Sequence, residues 1–487
     1  MFVRYTLLLF LSIFSFLTLA QSTEVFSPVQ LKTDIKVLRE NMEAIQSGLY
    51  TYFTKEHQDQ EWAKIEAQLD KSMTAVEFYR LLTPMLKYIA NGHNGFLPPK
   101  DYISYVSKEA PRFPFDLGWD GSQLFILRNV SQDSSISDGT VIKTINGQTV
   151  DELMAFMMDH MTRDGFNESL PLRSTTANFK THYALLFGTP DSFDLTLESE
   201  GTQTSVKVDA ITIEQIADYR KSRYPELNPP WYLNDEKAYS FELHDNYAEM
   251  KLRTFSIDYI KQSKQKYRRF FKDSFAQIQA SGVEHLIIDL RGNGGGDTEP
   301  TLLLLSYLYD GPLQFYGAMN LKIKKIPNRR LYESKLGLVN TFSWMLVRKK
   351  EGDGYELRQI DRYHRKKKPA KSFEGQVYAL IDAGSFSATG EMAGALKGYT
   401  NTLFIGEESG GNPVVNTSGE MLNLILPNTK VQATIPIVEF IMNVPFENDG
   451  RGMMPDFTPD VSIEDRIEGK DKTKELAIEL VNYGRIN

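Results

Sequence analysis

The feature that most constrains this 487-residue chain is a pair of apolar strands, each of which runs into a glycine-containing turn and then a helix. Residues 286–297 read Leu-Ile-Ile-Asp-Leu-Arg-Gly-Asn-Gly-Gly-Gly-Asp, and residues 377–396 pass from Val-Tyr-Ala-Leu-Ile-Asp through a Gly-Ser turn into a helix of small residues. Strands and helices alternate along residues 247–405, including one long helix predicted over residues 257–280. Such alternation predicts an α/β core, with a parallel or mixed sheet covered by helices.

A helical region comes before this core. Between residues 31 and 90 apolar side chains recur every three or four positions, which predicts amphipathic helices. The last helix runs into residues 91–99, where two glycines and two prolines force a turn. His93 lies in that turn.

Residues 111–211 show a different pattern, with short alternating strands typical of a β-rich domain. Strands are predicted at residues 124–127, 141–145 and 193–197, and a helix near residues 150–161. Residues 138–150 resemble the strand, Asn-Gly turn and helix start of a PDZ domain. We therefore expect an inserted PDZ-like domain.

The first twenty residues have the pattern of a secretory signal peptide. Arg4 precedes an apolar run, and small residues precede an expected cleavage site after Ala20. The alternative, a transmembrane anchor, is disfavoured because the run is shorter than the ~20 residues of a spanning helix. The chain has no cysteine, and therefore no lipid-bearing Cys, thiolate nucleophile or Cys-ligated zinc. We expect an exported protein, periplasmic or extracellular, without stable membrane insertion once the signal is removed.

Charge argues against nucleic acid as a partner. The net charge is -8, so no overall basic excess attracts DNA or RNA. Residues 322–371 are an exception, with 16 Lys and Arg against 5 Asp and Glu. We interpret them as a solvated, mobile insertion in preference to a specific anion-binding or membrane-surface patch.

The two glycine-containing turns carry the candidate chemistry. In the first, glycines let backbone N–H groups point at an anion or a developing oxyanion. A dinucleotide fingerprint does not fit, because Asp297 stands where the third glycine is needed, and no P-loop lysine follows. In the second, Ser387 lies at a helix N-terminus, a position that suits a helix cap as well as a nucleophile.

In order and spacing, these motifs resemble those of C-terminal processing (tail-specific) proteases and tricorn core proteases, serine peptidases with a crotonase/ClpP-like core. Residues 289–296 resemble the family's Asp-Leu-Arg-x-Asn-x-Gly-Gly signature, and residues 385–396 its nucleophile motif. Residues 404–411 and 452–456 resemble the following strand and the closing motif. The resemblance spans roughly residues 91–461.

The resemblance implies Ser387 as the nucleophile and the N–H groups of Ala388 and Gly295 as the oxyanion hole. It implies a polypeptide substrate, and no metal or organic cofactor. The position of the lysine used by the processing-protease branch reads Gly411-Asn412-Pro413. The tricorn-like branch, also found in retinoid-binding-protein-like relatives, uses a histidine in a loop after the N-terminal helices.

That loop matches the turn around His93, which becomes the candidate base. Independently, imidazole has a pKa suited to taking a serine proton near neutral pH. Of the seven histidines, His93 alone lies in a glycine-flanked turn. A histidine base normally needs a carboxylate partner. In the family an acid often precedes the closing motif, so the resemblance implies Glu447 or Asp449 for that role; the alternative for either is a solvated turn acid.

The leading hypothesis is thus an exported serine endopeptidase. Two alternatives stay open: a catalytically inactive relative that acts as a ligand-binding or scaffold protein, and an acyl-transferring enzyme on the same fold. The predicted organisation is a signal peptide (1–20), a helical N-terminal region (21–110), a PDZ-like domain (111–211) and a crotonase/ClpP-like peptidase core (212–487). The basic insertion lies within that core.

Overall fold

The computed structural model describes residues 24–226, 237–333, 345–350, 352–365 and 372–484. The predicted signal peptide lies outside the described residues. Across these ranges, we find no helix whose length and hydrophobicity would let it span a lipid bilayer.

The predicted helical N-terminal region is confirmed. Its apolar stripe, which includes Leu31, Ile35 and Leu38, is fully buried, as the spacing of three and four residues requires. The last helix ends at Ala90, whose left-handed φ of 52° turns the chain out of the helix and into the His93 turn. The elements of this region are β1 (Val25–Phe26), α1 (Pro28–Ile45), α2 (Lys55–Glu66), β2 (Met73–Thr74), α3 (Ala75–Leu82), α4 (Met85–Ile89), β3 (Gly95–Leu97) and α5 (Lys100–Lys108).

The β-rich pattern of residues 111–211 corresponds to an antiparallel sheet with its own apolar core. All three predicted strands and the predicted helix are present. Asn146 and Gly147 have positive φ values of 50° and 81°, as a tight two-residue hairpin turn demands. The elements are β4 (Phe115–Trp119), β5 (Leu124–Asn129), β6 (Val141–Ile145), β7 (Gln148–Thr149), α6 (Val150–Asp159), α7 (Ser169–Ala177), α8 (Phe179–Phe187), β8 (Ser192–Ser199), β9 (Thr202–Asp209) and α9 (Ile213–Arg223).

The remaining chain builds the predicted mixed sheet and a second sheet beside it. The elements are β10 (Tyr239–Leu243), β11 (Ala248–Leu252), α10 (Ile257–Gln262), α11 (Tyr267–Ser281), β12 (His285–Asp289), α12 (Thr298–Leu308), β13 (Leu313–Gln314), β14 (Tyr316–Leu321), β15 (Val347–Lys349), β16 (Tyr355–Leu357), β17 (His364–Arg365), β18 (Gln376–Ile381), α13 (Ala388–Tyr399), β19 (Leu403–Gly406), β20 (Val415–Ile425), β21 (Gln432–Met442), α14 (Ile463–Glu468) and α15 (Lys472–Tyr483). Two short 3₁₀ helices, Arg329–Leu331 and Arg358–Tyr363, complete them.

The central sheet has the order β10-β11-β12-β18-β19, with β10 antiparallel to β11 and the other pairs parallel. Ile288 faces a core that includes Phe271 of α11, while its neighbour Ile287 faces one that includes Leu480 of α15. A strand buried on both faces explains the continuous apolar run. Because β12 and β18 are parallel neighbours, both glycine-containing turns emerge at the same edge of the sheet.

One helix prediction is wrong. The structure divides residues 257–280 into α10 and α11, with Lys264 between them at a left-handed φ of 60°. The Gln265 side chain explains the break, because its amide donates to the Tyr239 carbonyl and accepts from the Tyr239 N–H. This contact with the edge strand is tertiary, and local helical periodicity gives no sign of it.

The second sheet has the order β15-β16-β14-β21-β20, and β3 pairs with β21. Because β3 directly follows the His93 turn, this pairing carries the N-terminal region onto the core, with Gly95 opposite Thr434. Strands β15 and β16 lie within the basic segment 322–371, so part of the predicted mobile insertion is paired sheet edge instead. The lysines at 366–368 lie outside the described residues.

Candidate active site

The glycine-rich turn after β12 is held in shape by Asn293, which is fully buried. Its side-chain amide donates to the Leu252 carbonyl at 2.9 Å, and its Oδ1 accepts from the Gly295 N–H at 2.9 Å. Its backbone carbonyl accepts from the Phe386 N–H at 3.0 Å. One residue therefore joins the end of β11, its own turn and the turn after β18.

A second set of bonds joins the same two turns. Asp382 Oδ1 accepts from the N–H groups of Gly292 and Gly384 at 2.8 and 2.9 Å. The Ser385 hydroxyl donates to the Leu290 carbonyl at 2.9 Å and is fully buried, so this serine is structural. Of the two serines in the motif, Ser387 is therefore the candidate nucleophile.

Ser387 has a strained backbone, with φ of 56° and ψ of -125° immediately before α13. A non-glycine residue in such a conformation costs on the order of 1–3 kcal/mol, and such strain concentrates at functional sites. Its hydroxyl does not cap the helix. Instead, Ser387 Oγ lies 3.1 Å from His93 Nε2, within hydrogen-bonding distance.

Separate contacts fix the backbone and the ring of His93. The Asn91 side chain accepts from the backbone N–H of His93 at 2.9 Å, which shapes the turn, and the Phe386 ring lies against the imidazole with 4.7 Å between centroids. Burial lowers the pKa of His93 to about 4. At neutral pH the ring is therefore uncharged and able to accept a proton from Ser387.

The two predicted oxyanion donors differ in whether the N–H group is already hydrogen-bonded. Ala388 is the first residue of α13, where an N–H has no intrahelical acceptor and the helix dipole favours negative charge. Gly295 lies directly against it, because a Cβ there would be 2.8 Å from the Ala388 nitrogen. The Gly295 N–H, however, already donates to Asn293 Oδ1. In this conformation only the Ala388 N–H is available.

The structure does not bring the predicted carboxylates to His93. Glu447 and Asp449 are exposed, and Asp449 accepts from the Arg451 N–H at 2.8 Å. The Nδ1 atom of His93 is enclosed and has no hydrogen-bond partner among the residues that the structure describes. The site thus contains a serine and a histidine in contact, with the far side of the ring unpaired.

Sequence reasoning missed the residues that shape the site. Asn293 and Asp382 lie inside the quoted motifs, and the tendency of Asn and Asp to bond nearby backbone in turns is a signal that could have found them. Phe386 could have been suspected from its place between the two serines. The loop at residues 162–167 gave no such signal, because tertiary folding alone brings it to the site.

A serine hydroxyl beside an uncharged imidazole, at the N-terminus of a helix, is an arrangement that serine hydrolases use. Residues 246–458 match the model of Peptidase family S41, a range that includes Ser387 but not His93. The match covers less than half of the chain; over it the chain is similar to peptidase family S41, the family of the C-terminal processing proteases, and the protein is a serine-type peptidase. The resemblance inferred from the motifs is confirmed.

Solved structures agree at the level of the fold. A crystal structure of mature CPAF superposes with a TM-score of 0.62 at 14% identity, covering 94% of this chain and 99% of that one. Mature CPAF complexed with lactacystin gives 0.59 at 15% identity, covering 93% and 99%. The curated proteins contain no match to the sequence. The fold is therefore a mixed α/β fold of the kind found in CPAF.

Replacing Gly92 by Ala tests how closely the His93 turn fits its surroundings. The new Cβ would lie 2.6 Å from the Phe386 ring and 2.9 Å from Asp164 Oδ1, so the turn must move. A displacement of about 1 Å costs about 10²-fold in rate, and we expect that loss in kcat for peptide hydrolysis. Gly95→Ala is the matched control, because nothing lies within 4 Å of its new Cβ. Equal activity of the two variants would contradict the geometry described.

Proposed function

We propose that this peptidase is an exported endopeptidase whose nucleophile is Ser387 and whose base is His93. The observation that carries the proposal is the 3.1 Å contact between Ser387 Oγ and His93 Nε2. The strained backbone of Ser387 supports it, because such strain has a cost that a purely structural serine has no need to bear, and burial keeps His93 uncharged and able to accept a proton at neutral pH.

In the proposed mechanism, Ser387 Oγ attacks a peptide carbonyl while His93 Nε2 takes the hydroxyl proton. The Ala388 N–H donates to the oxygen that becomes negatively charged. His93 then gives its proton to the leaving amine, the C–N bond breaks, and an acyl-enzyme remains. Water, deprotonated by His93, hydrolyses the ester and restores both residues.

The protonated imidazole needs a further partner in this scheme. Its Nδ1–H has no acceptor in the described structure, and a buried cation without one is costly. We keep Asp449 or Glu447 in the proposal as that acceptor. The loop that carries them is anchored close to the site, since Asn448 Oδ1 accepts from the Asn412 side chain at 2.8 Å. We propose that this loop closes on His93 when substrate binds. We also propose that the Gly295 N–H then leaves Asn293 Oδ1 and donates to the oxyanion.

We also propose the finer architecture expected from the sequence. Residues 111–211 would be a PDZ-like insertion, a role supported by their separate sheet and core. Residues 212–487 would be a crotonase/ClpP-like core, supported by the parallel β11, β12, β18 and β19 strands. Neither assignment changes the chemistry proposed at Ser387.

Removing the nucleophile or the base should abolish turnover. We expect Ser387→Ala and His93→Gln each to lower kcat/KM for a casein-type substrate by about 10³-fold or more, because no acyl-enzyme forms efficiently without them. A serine-reactive phosphonate should label Ser387 in the wild-type protein at neutral pH and fail in both variants. His285→Gln is the control, since His285 begins β12 within the sheet. Undiminished hydrolysis by Ser387→Ala would contradict the proposal. Turnover of a thioester by the wild-type protein without peptide cleavage would favour the acyl-transfer alternative.

The identity of the supporting acid is tested by Glu447→Gln and Asp449→Asn. We expect one of the two to lower kcat by about 10² to 10⁴, as loss of the carboxylate partner does in triads, and the other to leave it within about three-fold. Single-turnover kinetics would assign the loss to the acylation step. If both variants keep wild-type kcat, neither acid supports His93.

Export is tested by the N-terminus of the mature protein. Cleavage after Ala20 would leave Gln21 as the first residue. N-terminal sequencing of protein secreted or released from the periplasm of its host should give that residue. An uncleaved chain recovered from the membrane fraction would instead favour an anchor.

A further inference from the structure

The loop at residues 162–167 emerges from the β-rich region after α6 and contacts three other loops around the site. It holds the start of the His93 turn, because the Gly165 N–H donates to the Ala90 carbonyl at 2.9 Å and the Thr162 hydroxyl to the Asn91 carbonyl at 2.7 Å. Its Phe166 N–H donates to the Gly450 carbonyl at 2.7 Å. Its Asn167 side chain donates to the Ser409 carbonyl at 2.8 Å.

At the centre of this loop is Asp164, whose side chain is buried and whose residue is only 3% exposed. Its Oδ1 accepts from the Gly92 N–H at 2.6 Å, and its Oδ2 accepts from the Asn412 N–H at 3.2 Å. Gly92 directly precedes His93. Each oxygen of one carboxylate therefore bonds a different segment of the site.

The segment bonded by Oδ2 packs against the nucleophile. Asn412 follows Gly411, whose N–H donates to the Ser385 carbonyl at 3.0 Å. A Cβ on Gly411 would lie 2.8 Å from the Ser387 nitrogen, so the two backbones are in direct contact. Asp164 thus links the turn that carries the base to the segment that supports the nucleophile.

An ionised carboxylate accepts from both N–H groups at full strength. An asparagine offers one acceptor oxygen and one donor NH₂, so it would face one N–H with another donor, and a protonated carboxyl accepts only weakly through its O–H oxygen. Within the described ranges no cation pairs with Asp164, and burial raises its pKa to about 6 against the lowering effect of the two N–H bonds. A buried carboxylate without a counter-ion is costly, which argues for a specific role.

We propose that Asp164 is a positioning residue, which in its ionised form holds the His93 turn at the correct distance from Ser387. The inference rests on the proposed function, since it concerns the same pair of residues. Asp164 does not contact the reacting atoms and acts through the backbone of Gly92 and Asn412.

The role predicts a distinctive pH dependence. Below about pH 6 the carboxyl takes up a proton, one of its two oxygens becomes a weak acceptor, and the link between the His93 turn and the Asn412 segment loosens. Peptide hydrolysis should then fall in kcat before His93 itself is protonated at about pH 4. Among the residues that the structure describes, Tyr52 is a titratable group that interacts with Asp164, and burial raises its pKa far above this range.

The test compares Asp164→Asn with Asp34→Asn in the full-length protein, measuring kcat and KM between about pH 4 and pH 8. Asp34 is the matched control, a fully buried aspartate that accepts from the N–H groups of Asn428 and Thr429. We expect Asp164→Asn to lower kcat at neutral pH by about 10²-fold with KM within about three-fold, and to lose the inflection near pH 6. Asp34→Asn should lose thermal stability yet keep the wild-type inflection.

Each outcome separates this inference from the proposed function. If Ser387→Ala keeps full activity, the proposed function itself fails. If Ser387→Ala is inactive while Asp164→Asn keeps the wild-type kcat and inflection, only the role of Asp164 fails.

A measurement on the wild-type protein keeps the test valid if Asp164→Asn does not fold. The rate of Ser387 labelling by the phosphonate should change near pH 6. The ¹³C chemical shift of one aspartate carboxyl, measured by NMR on protein with ¹³C-labelled aspartate, should change over the same pH range. A rate that follows an imidazole signal instead would overturn the inference.

Discussion

The site depends on one contact, the 3.1 Å approach of His93 Nε2 to Ser387 Oγ across 294 residues of chain. Neither residue reaches the other by local structure. The left-handed Ala90 ends α4 and turns the chain, and the pairing of β3 with β21 then anchors the turn on the core sheet. Phe386, next to the nucleophile, completes the approach by lying against the imidazole. The helical N-terminal region therefore supplies one of the two side chains of the candidate site.

The surroundings of this contact store unfavourable free energy that nearby hydrogen bonds offset. Ser387 has positive φ, His93 is buried uncharged, and Asp164 is a buried carboxylate. Against these costs the side chains of Asn293 and Asp382 together make four bonds: one joins the turns after β12 and β18, one reaches β11, and two shape the turns themselves. Each such bond is worth on the order of 1 kcal/mol, so the network offsets strain of the size present at Ser387.

Much of the fold was predictable because local patterns agreed with it. The three- and four-residue spacing of the N-terminal helices, the alternating strands of the β-rich region and the two strands ending in glycine turns all correspond to elements of the structure. The break in the helix at Lys264 was not predictable, because it follows from a side-chain contact between Gln265 and a strand residue 26 positions away. The bond from Gly295 to Asn293 was missed for a different reason: it is local, but motif matching assigns residue types and not the direction of an N–H.

The sequence by itself determined which residues have reactive chemistry: a serine before a helix, a histidine in a glycine-flanked turn, and two turns that parallel strands must present at one sheet edge. These follow from residue type and short-range geometry, both of which act over a few positions. Only the tertiary structure decided that Ser387 and His93 meet, that Glu447 and Asp449 stay exposed, and that Asp164 bonds both sides of the site. These are contacts between distant segments, set by how sheets and loops pack, and no local pattern encodes a distance between residues so far apart along the chain.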